Sequence, residues 1–212
     1  MKTILLTGFE PFGGEAINPS WEVARSLQGE LIAGARVEAL KLPCVFGESL
    51  QVLEEALKAL KPGLVLALGQ ASGRAALSLE RVAINLIDAR IADNASRQPI
   101  DEPAVPGAAS AHFTTLPVKA MVAGLRAGGY PAELSYTAGS FVCNEVFFGL
   151  MHLLAGRKTR GGFMHLPCLP EQAAARPAPS MALATMVGGV RLALELAMAA
   201  QTDLKETGGT IS

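Results

Sequence analysis

Half of the 212 residues are hydrophobic and only 17% are charged, with 18 basic residues against 19 acidic ones for a net charge of -1. That balance leaves no basic face, which argues against nucleic acid and anionic membrane as partners. No apolar run approaches the roughly 18 residues of a membrane span, and the one after Met1 is too short for a signal peptide, so the expectation is a soluble cytoplasmic chain. The length suits a single domain.

Lys2–Thr7 reads as a short buried strand. A loop rich in glycine and proline follows over Gly8–Asn18, and Asn18-Pro19 supplies an N-cap and a first-turn proline for a helix through Trp21, Val23, Ala24 and Leu27. Arg36–Leu42 reads as a second strand. Glu48–Leu60 places Leu50, Leu53, Leu57 and Leu60 on one helical face, and Pro62-Gly63 ends it. The unbroken apolar run Leu64–Leu68 is the pattern of a strand covered on both sides.

Two extended segments are expected at Ala76–Ala83 and Asn85–Ala89, then a long loop from Asp93 to Ser110. A helix over Val118–Ala127, a strand at Ala132–Thr137, a turn at Ala138-Gly139-Ser140 and an apolar helix through Glu145–Leu154 come next. A strand at Gly162–Leu166 and a last helix from Ser180 to about Ala200 complete the order, with fraying expected from about residue 203. Strands alternating with helices predict an α/β fold, a three-layer α/β/α sandwich on a mostly parallel sheet. Right-handed crossovers would gather the loops Gly8–Asn18, Gly69–Gly73 and Ser140–Cys143, and the end of the Gly162–Leu166 strand, at one sheet edge.

Three cysteines, Cys44, Cys143 and Cys168, make neither a disulfide framework nor a zinc cluster. Cys143 stands where a strand and turn give way to a helix. A thiol in a first helical turn feels the positive end of the macrodipole, which lowers its pKa and favours the nucleophilic thiolate. Position alone also fits a buried, inert cysteine. His165, at a strand end on the expected edge, is a base that can serve that thiol. His112 lies in an unassigned segment, and His152 is more than two helical turns past Cys143. For a third, orienting group the candidates are Glu10, Glu15, Glu80 and Asp88. The loop Gly8-Phe9-Glu10-Pro11-Phe12-Gly13-Gly14 lacks the lysine and hydroxyl of a phosphate-binding loop, and its two phenylalanines read either as the wall of an apolar pocket or as a core plug.

The chain closely resembles the pyroglutamyl peptidase I family of cysteine peptidases. The likeness runs through Thr7–Gly14 with Asn18-Pro19-Ser20, Gly69–Arg74, Glu80–Asn85, Asp88–Asn94, Ser135–Asn144 and His165-Leu166-Pro167. The resemblance implies a triad of Cys143 as nucleophile, His165 as base and acid, and Glu80 as the imidazole's partner. It implies release of N-terminal pyroglutamate from pyroglutamyl-capped peptides, an α/β/α fold, a homotetramer, and no metal or cofactor. Ser140, Glu145 and Ala92 depart from the residues common in the family, and Glu145 would raise the thiol pKa if it pointed inward.

A neutral lactam asks for apolar walls and amide-type partners. Phe9, Phe12, Phe141 and Val142 are expected as walls and Gln70 as a donor and acceptor. Arg90 and Ile91 complete the expected substrate-binding set, with the backbone of Arg90 a weaker candidate beside the Cys143 N–H for the oxyanion. The alternative is a ligand- or nucleotide-binding α/β module without peptidase activity.

Overall fold

A computed structural model of the chain describes residues 2–174 and 178–209. The apolar run 64–68 becomes the middle of β4 (Leu64–Gln70), every residue of which is buried. Around it lie β1 (Lys2–Phe9), β2 (Leu31–Ile32), β3 (Ala35–Leu42), β5 (Leu77–Glu80), β8 (Ala132–Ser135) and β9 (Arg160–Leu166), and a separate hairpin pairs β6 (Val82–Ile84) with β7 (Ala111–Phe113). The helices are α1 (Pro19–Ser26), α2 (Glu48–Leu60), α3 (Val118–Ala127), α4 (Val142–Leu154), α5 (Pro170–Ala173) and α6 (Leu183–Ala199).

The seven-stranded sheet has the order β2-β3-β1-β4-β9-β5-β8. Strands β3, β1, β4 and β9 run parallel, whereas β2 opposes β3 and β5 opposes β9. Because β8 is parallel to β5, it too runs against the central four. The expected α/β sandwich with a mostly parallel sheet is therefore what forms. The expectation that every strand ends at one edge is corrected at β8, which runs against the central four strands and so ends toward the opposite edge.

Alternation along the strands divides the core in two. Ile4, Leu6, Leu64, Leu66, Leu68, Leu79 and Met164 face α1, α3 and α6. Leu5, Phe9, Val65, Ala67 and Phe163 face α2 and α4. Asn18 caps α1 by accepting from the Ser20 N–H, as its position before Pro19 predicts. Gly8 lies so close to α1 that a Cβ there would sit 2.3 Å from the Ser20 carbonyl oxygen, so the start of α1 is seated directly on β1.

Several expectations are revised. Asn85–Ala89 forms no strand, only a single bridge of Ile87 to Glu102. The last helix begins at Leu183, since Ser180 is drawn into a bridge with Cys168. The short elements β2, β7 and α5 carry too few residues for a periodic pattern. The stretch 93–110 holds no helix but is tied down at its start. There the buried Asp93 carboxylate accepts from the N–H groups of Phe46, Ala95 and Arg97, and Asn94 donates to Glu10 Oε1 and the Pro11 carbonyl. In the expected frayed tail, Asp203 accepts from the N–H groups of Lys119 and Ala120, and the Gly208 carbonyl accepts from Tyr136; residues 210–212 lie outside the described residues. Among the described residues no helix is long and apolar enough to cross a membrane.

Candidate active site

The chain reverses at Gly139, whose φ of 78° suits glycine, and Phe141 enters α4 in an extended conformation. Asn144 pins this start: its side chain accepts from the Ile84 N–H and donates to the carbonyls of Ile84 and Leu86. No side chain caps the helix, so the N–H groups of its first turn remain open to an anion. Cys143 is the second residue of that turn.

The thiol lies against the sheet. A Cβ on Gly69 would stand 2.9 Å from Cys143 Sγ and 2.8 Å from the Phe163 ring. Gly69 is paired in register with His165 on β9, one strand spacing away, about 4.8 Å. His165 shares its face of β9 with Phe163, whose ring centre is 4.9 Å from the imidazole, and so faces the thiol's side of the sheet. On the other flank β5 runs antiparallel, pairing Ser78 with His165. Two residues on, Glu80 projects from the same face and reaches diagonally back, so that the His165 Nδ1–H donates to Glu80 Oε1 at 2.7 Å. Nδ1 is thereby engaged, and Nε2 is left for chemistry. The same Oε1 accepts from Arg74 Nη1 at 2.7 Å, while Arg74 Nη2 donates to the Thr137 carbonyl at 2.9 Å.

Gly69 is therefore small because the thiol occupies the space of its side chain.

Electrostatics correct one expectation. Burial pushes the Cys143 thiol up, Cys44 and Glu80 add to the rise, and only Arg74 opposes it. Desolvation is the largest of these effects and acts opposite to the lowering expected of a helix start. Burial also holds the His165 imidazole below its ordinary 6.5; the hydrogen bond and charge of Glu80 work against this, and Arg74 reinforces it. Both directions favour the uncharged forms, thiol and imidazole.

Phe12 and Phe141 are half-buried with ring centres 6.2 Å apart, and Phe46 meets Phe141 edge-on at 5.1 Å. Phe9, by contrast, is a core plug at 2% exposure, and Val142 is wholly enclosed. Gln70 follows Gly69 on β4, so its side chain leaves the opposite face, where its carboxamide meets Cys168 Sγ and Gln172. Arg90 and Ile91 stand exposed on the strap after β6. Glu145 does not turn toward the thiol, because Oε1 accepts from the Gly47 N–H at 2.9 Å on the side of α2. Of the other acids considered, Glu10 is occupied by the Cys44 N–H and Asn94. Phe46, Arg74 and Asn144 were not singled out from sequence. Arg74 and Asn144 carry a signal only as the last residues of the Gly69–Arg74 and Ser135–Asn144 stretches, and Phe46 carries none.

A family model described as Pyroglutamyl peptidase matches residues 2–200. A pyrrolidone-carboxylate peptidase of Erwinia tasmaniensis is 56% identical over 210 residues, 99% of both chains. One of Chromobacterium violaceum is 57% identical over 212 residues, the whole of both. Among solved structures, pyroglutamyl peptidase I from Bacillus amyloliquefaciens superposes with a TM-score of 0.95 at 43% identity, covering 97% of this chain and 99% of that one. A mutant pyrrolidone carboxyl peptidase from the hyperthermophile Pyrococcus furiosus gives 0.90 at 42% identity, covering 94% and 99%.

Proposed function

The chain belongs to the pyroglutamyl peptidase family, and from that premise we propose that it releases N-terminal pyroglutamate from peptides with Cys143 as nucleophile, His165 as proton carrier and Glu80 as the group that orients it. The observation that carries this reading is Cys143 Sγ resting over Gly69, one strand from an imidazole whose Nδ1 is held by Glu80.

With burial favouring the uncharged thiol and imidazole, the thiol is activated as it reacts. His165 Nε2 takes the thiol proton while Sγ attacks the pyroglutamyl carbonyl carbon. The oxyanion of the tetrahedral adduct is met by open N–H groups at the start of α4. The imidazolium then gives its proton to the departing amine, leaving a thioester. Water, deprotonated by His165, cleaves the thioester and frees pyroglutamate, and the proton returns to sulfur. Glu80 keeps the proton on Nδ1 throughout, so that Nε2 is the nitrogen that exchanges it.

The substrate ring is a neutral lactam and needs no carboxylate to receive an ammonium group. Glu10, one of two acids of the first loop, is spent on Cys44 and Asn94. Phe12, Phe46 and Phe141 supply aromatic surface. The lactam N–H and C=O call for backbone partners near the end of β4. The Gln70 carboxamide joins them only by giving up Cys168 and Gln172.

The test is a pyroglutamyl chromogenic amide assayed before and after alkylation, with the modified residue located by mass spectrometry. Turnover that disappears in step with labelling of Cys143 is the expected result. Turnover that survives complete labelling of Cys143 would exclude the mechanism.

A further inference from the structure

We propose that Arg74 is a positioning residue for this reaction, a guanidinium that fixes the base-orienting carboxylate and the thiol-bearing segment to one another. The inference rests on the triad reading above and adds a fourth member to it. Glu80 is fully buried, and Oε2 has no hydrogen-bond partner. All the polar contacts of the carboxylate therefore fall on Oε1, shared between His165 Nδ1 and Arg74 Nη1 at 2.7 Å each. A buried carboxylate bound to an imidazole alone would draw a second proton onto that ring, because two opposite charges in a low dielectric attract strongly. The imidazolium so formed could not accept the thiol proton. Arg74 supplies the positive charge instead and lets His165 stay neutral.

The second nitrogen has a different task. Arg74 Nη2 donates to the Thr137 carbonyl, two residues before the Gly139 reversal that leads into α4. Glu80 ends β5, whereas Thr137 belongs to the segment that carries Cys143. One planar fork thus sets the distance between the two halves of the site, which a lysine's single ammonium group cannot reproduce. Arg74 is held in turn by its own local structure: Gly73 has a φ of 99°, and the Arg74 N–H bonds to the Ala71 carbonyl.

The experiment compares wild type, Arg74→Met and Arg74→Lys on a pyroglutamyl amide across pH, with thermal melts as a check on folding. Arg74→Met should lose on the order of 10- to 100-fold in kcat with little change in KM, and the acidic limb of kcat/KM should move to higher pH as His165 becomes easier to protonate. Arg74→Lys should keep the limb near its wild-type position, because the charge remains, but still lose kcat, because the fork is gone. If Arg74→Met fails to fold, the lysine variant alone carries the test. Either variant folding with wild-type kcat and an unmoved limb overturns the inference while leaving the triad intact. A wild-type protein without turnover would instead remove the reading on which it rests.

Discussion

Cys143→Ala should abolish turnover of a pyroglutamyl amide, by a factor on the order of 10⁴–10⁶, while the protein still folds. The size of the loss follows from the proposed reaction: with no nucleophile no thioester would form, and the open N–H groups at the start of α4 would polarise a carbonyl that nothing attacks. The small effect on folding follows from the geometry. Sγ sits over Gly69 at the rim of the core, and alanine leaves the contacts of Asn144 and the helix start untouched. Cys143→Ser should fall nearly as far, because a hydroxyl is a far weaker acid than a thiol and yields its proton to His165 much less readily. Cys44→Ala and Cys168→Ala should stay active. Cys44 is 3% exposed, packed into the core face with Leu42 and Phe46, and Cys168 is enclosed against Gln70 and Ser72, whereas Cys143 keeps some exposure. Initial rates together with a thermal melt decide the matter. A folded Cys143→Ala protein retaining more than about a hundredth of wild-type activity would be incompatible with a cysteine mechanism.

The second large effect is on stability and is set by pH. Burial raises the Glu145 carboxyl from its ordinary 4.5 to about 7, against the Gly47 hydrogen bond and Arg97, and with Asp93 contributing to the rise. Oε2 is buried without a partner. Between pH 4.5 and 7 the folded protein holds a proton that the unfolded chain has released. Stability is therefore lost as pH rises through that window, and the loss is complete above it. Glu145→Gln keeps an oxygen for the Gly47 N–H and removes the charge. The variant should match wild type near pH 4.5 and exceed it by about 3 kcal/mol at pH 8, roughly 6–12 °C in Tm for a chain of this size. Denaturant titrations at several pH values measure the difference directly. Parallel stability curves for the two proteins across pH 4.5–8 would mean that this carboxylate ionises in the folded protein as it does in water.

Much of this architecture was readable because single elements carry their own pattern. The apolar run 64–68, the leucine face of 48–60 and the Asn18-Pro19 start each specify an element without help from the rest of the chain. Cys143 at a helix start and His165 at a strand end were legible for the same reason. Glu80 was not separable from Glu10, Glu15 and Asp88 by spacing, and it was assigned only through family likeness. It meets His165 across 85 residues of chain, through the antiparallel β5–β9 pairing, and no local pattern reports which way a short strand runs. The same blindness explains the reversal of β8. The thiol ionisation was read from the helix start alone, because burial is a property of the assembled core and cannot be counted along a sequence. Glu145 was visible as a departure, but its direction depended on Gly47 being there to receive it.

The strand order also has a consequence in time. Strand β9 is the last strand in the chain, yet it lies between β4 and β5 near the middle of the sheet. As the polypeptide leaves the ribosome, β5 and β8 can pair with each other but have nothing to join them to β1, β3 and β4 until residues 160–166 emerge. The last of those strands also brings His165. Closing the sheet and bringing the proposed triad together are therefore one step, and it waits on contacts far apart in sequence. A growing chain carries Cys143 and Glu80 before β9 can join β4 to β5 and set His165 between them.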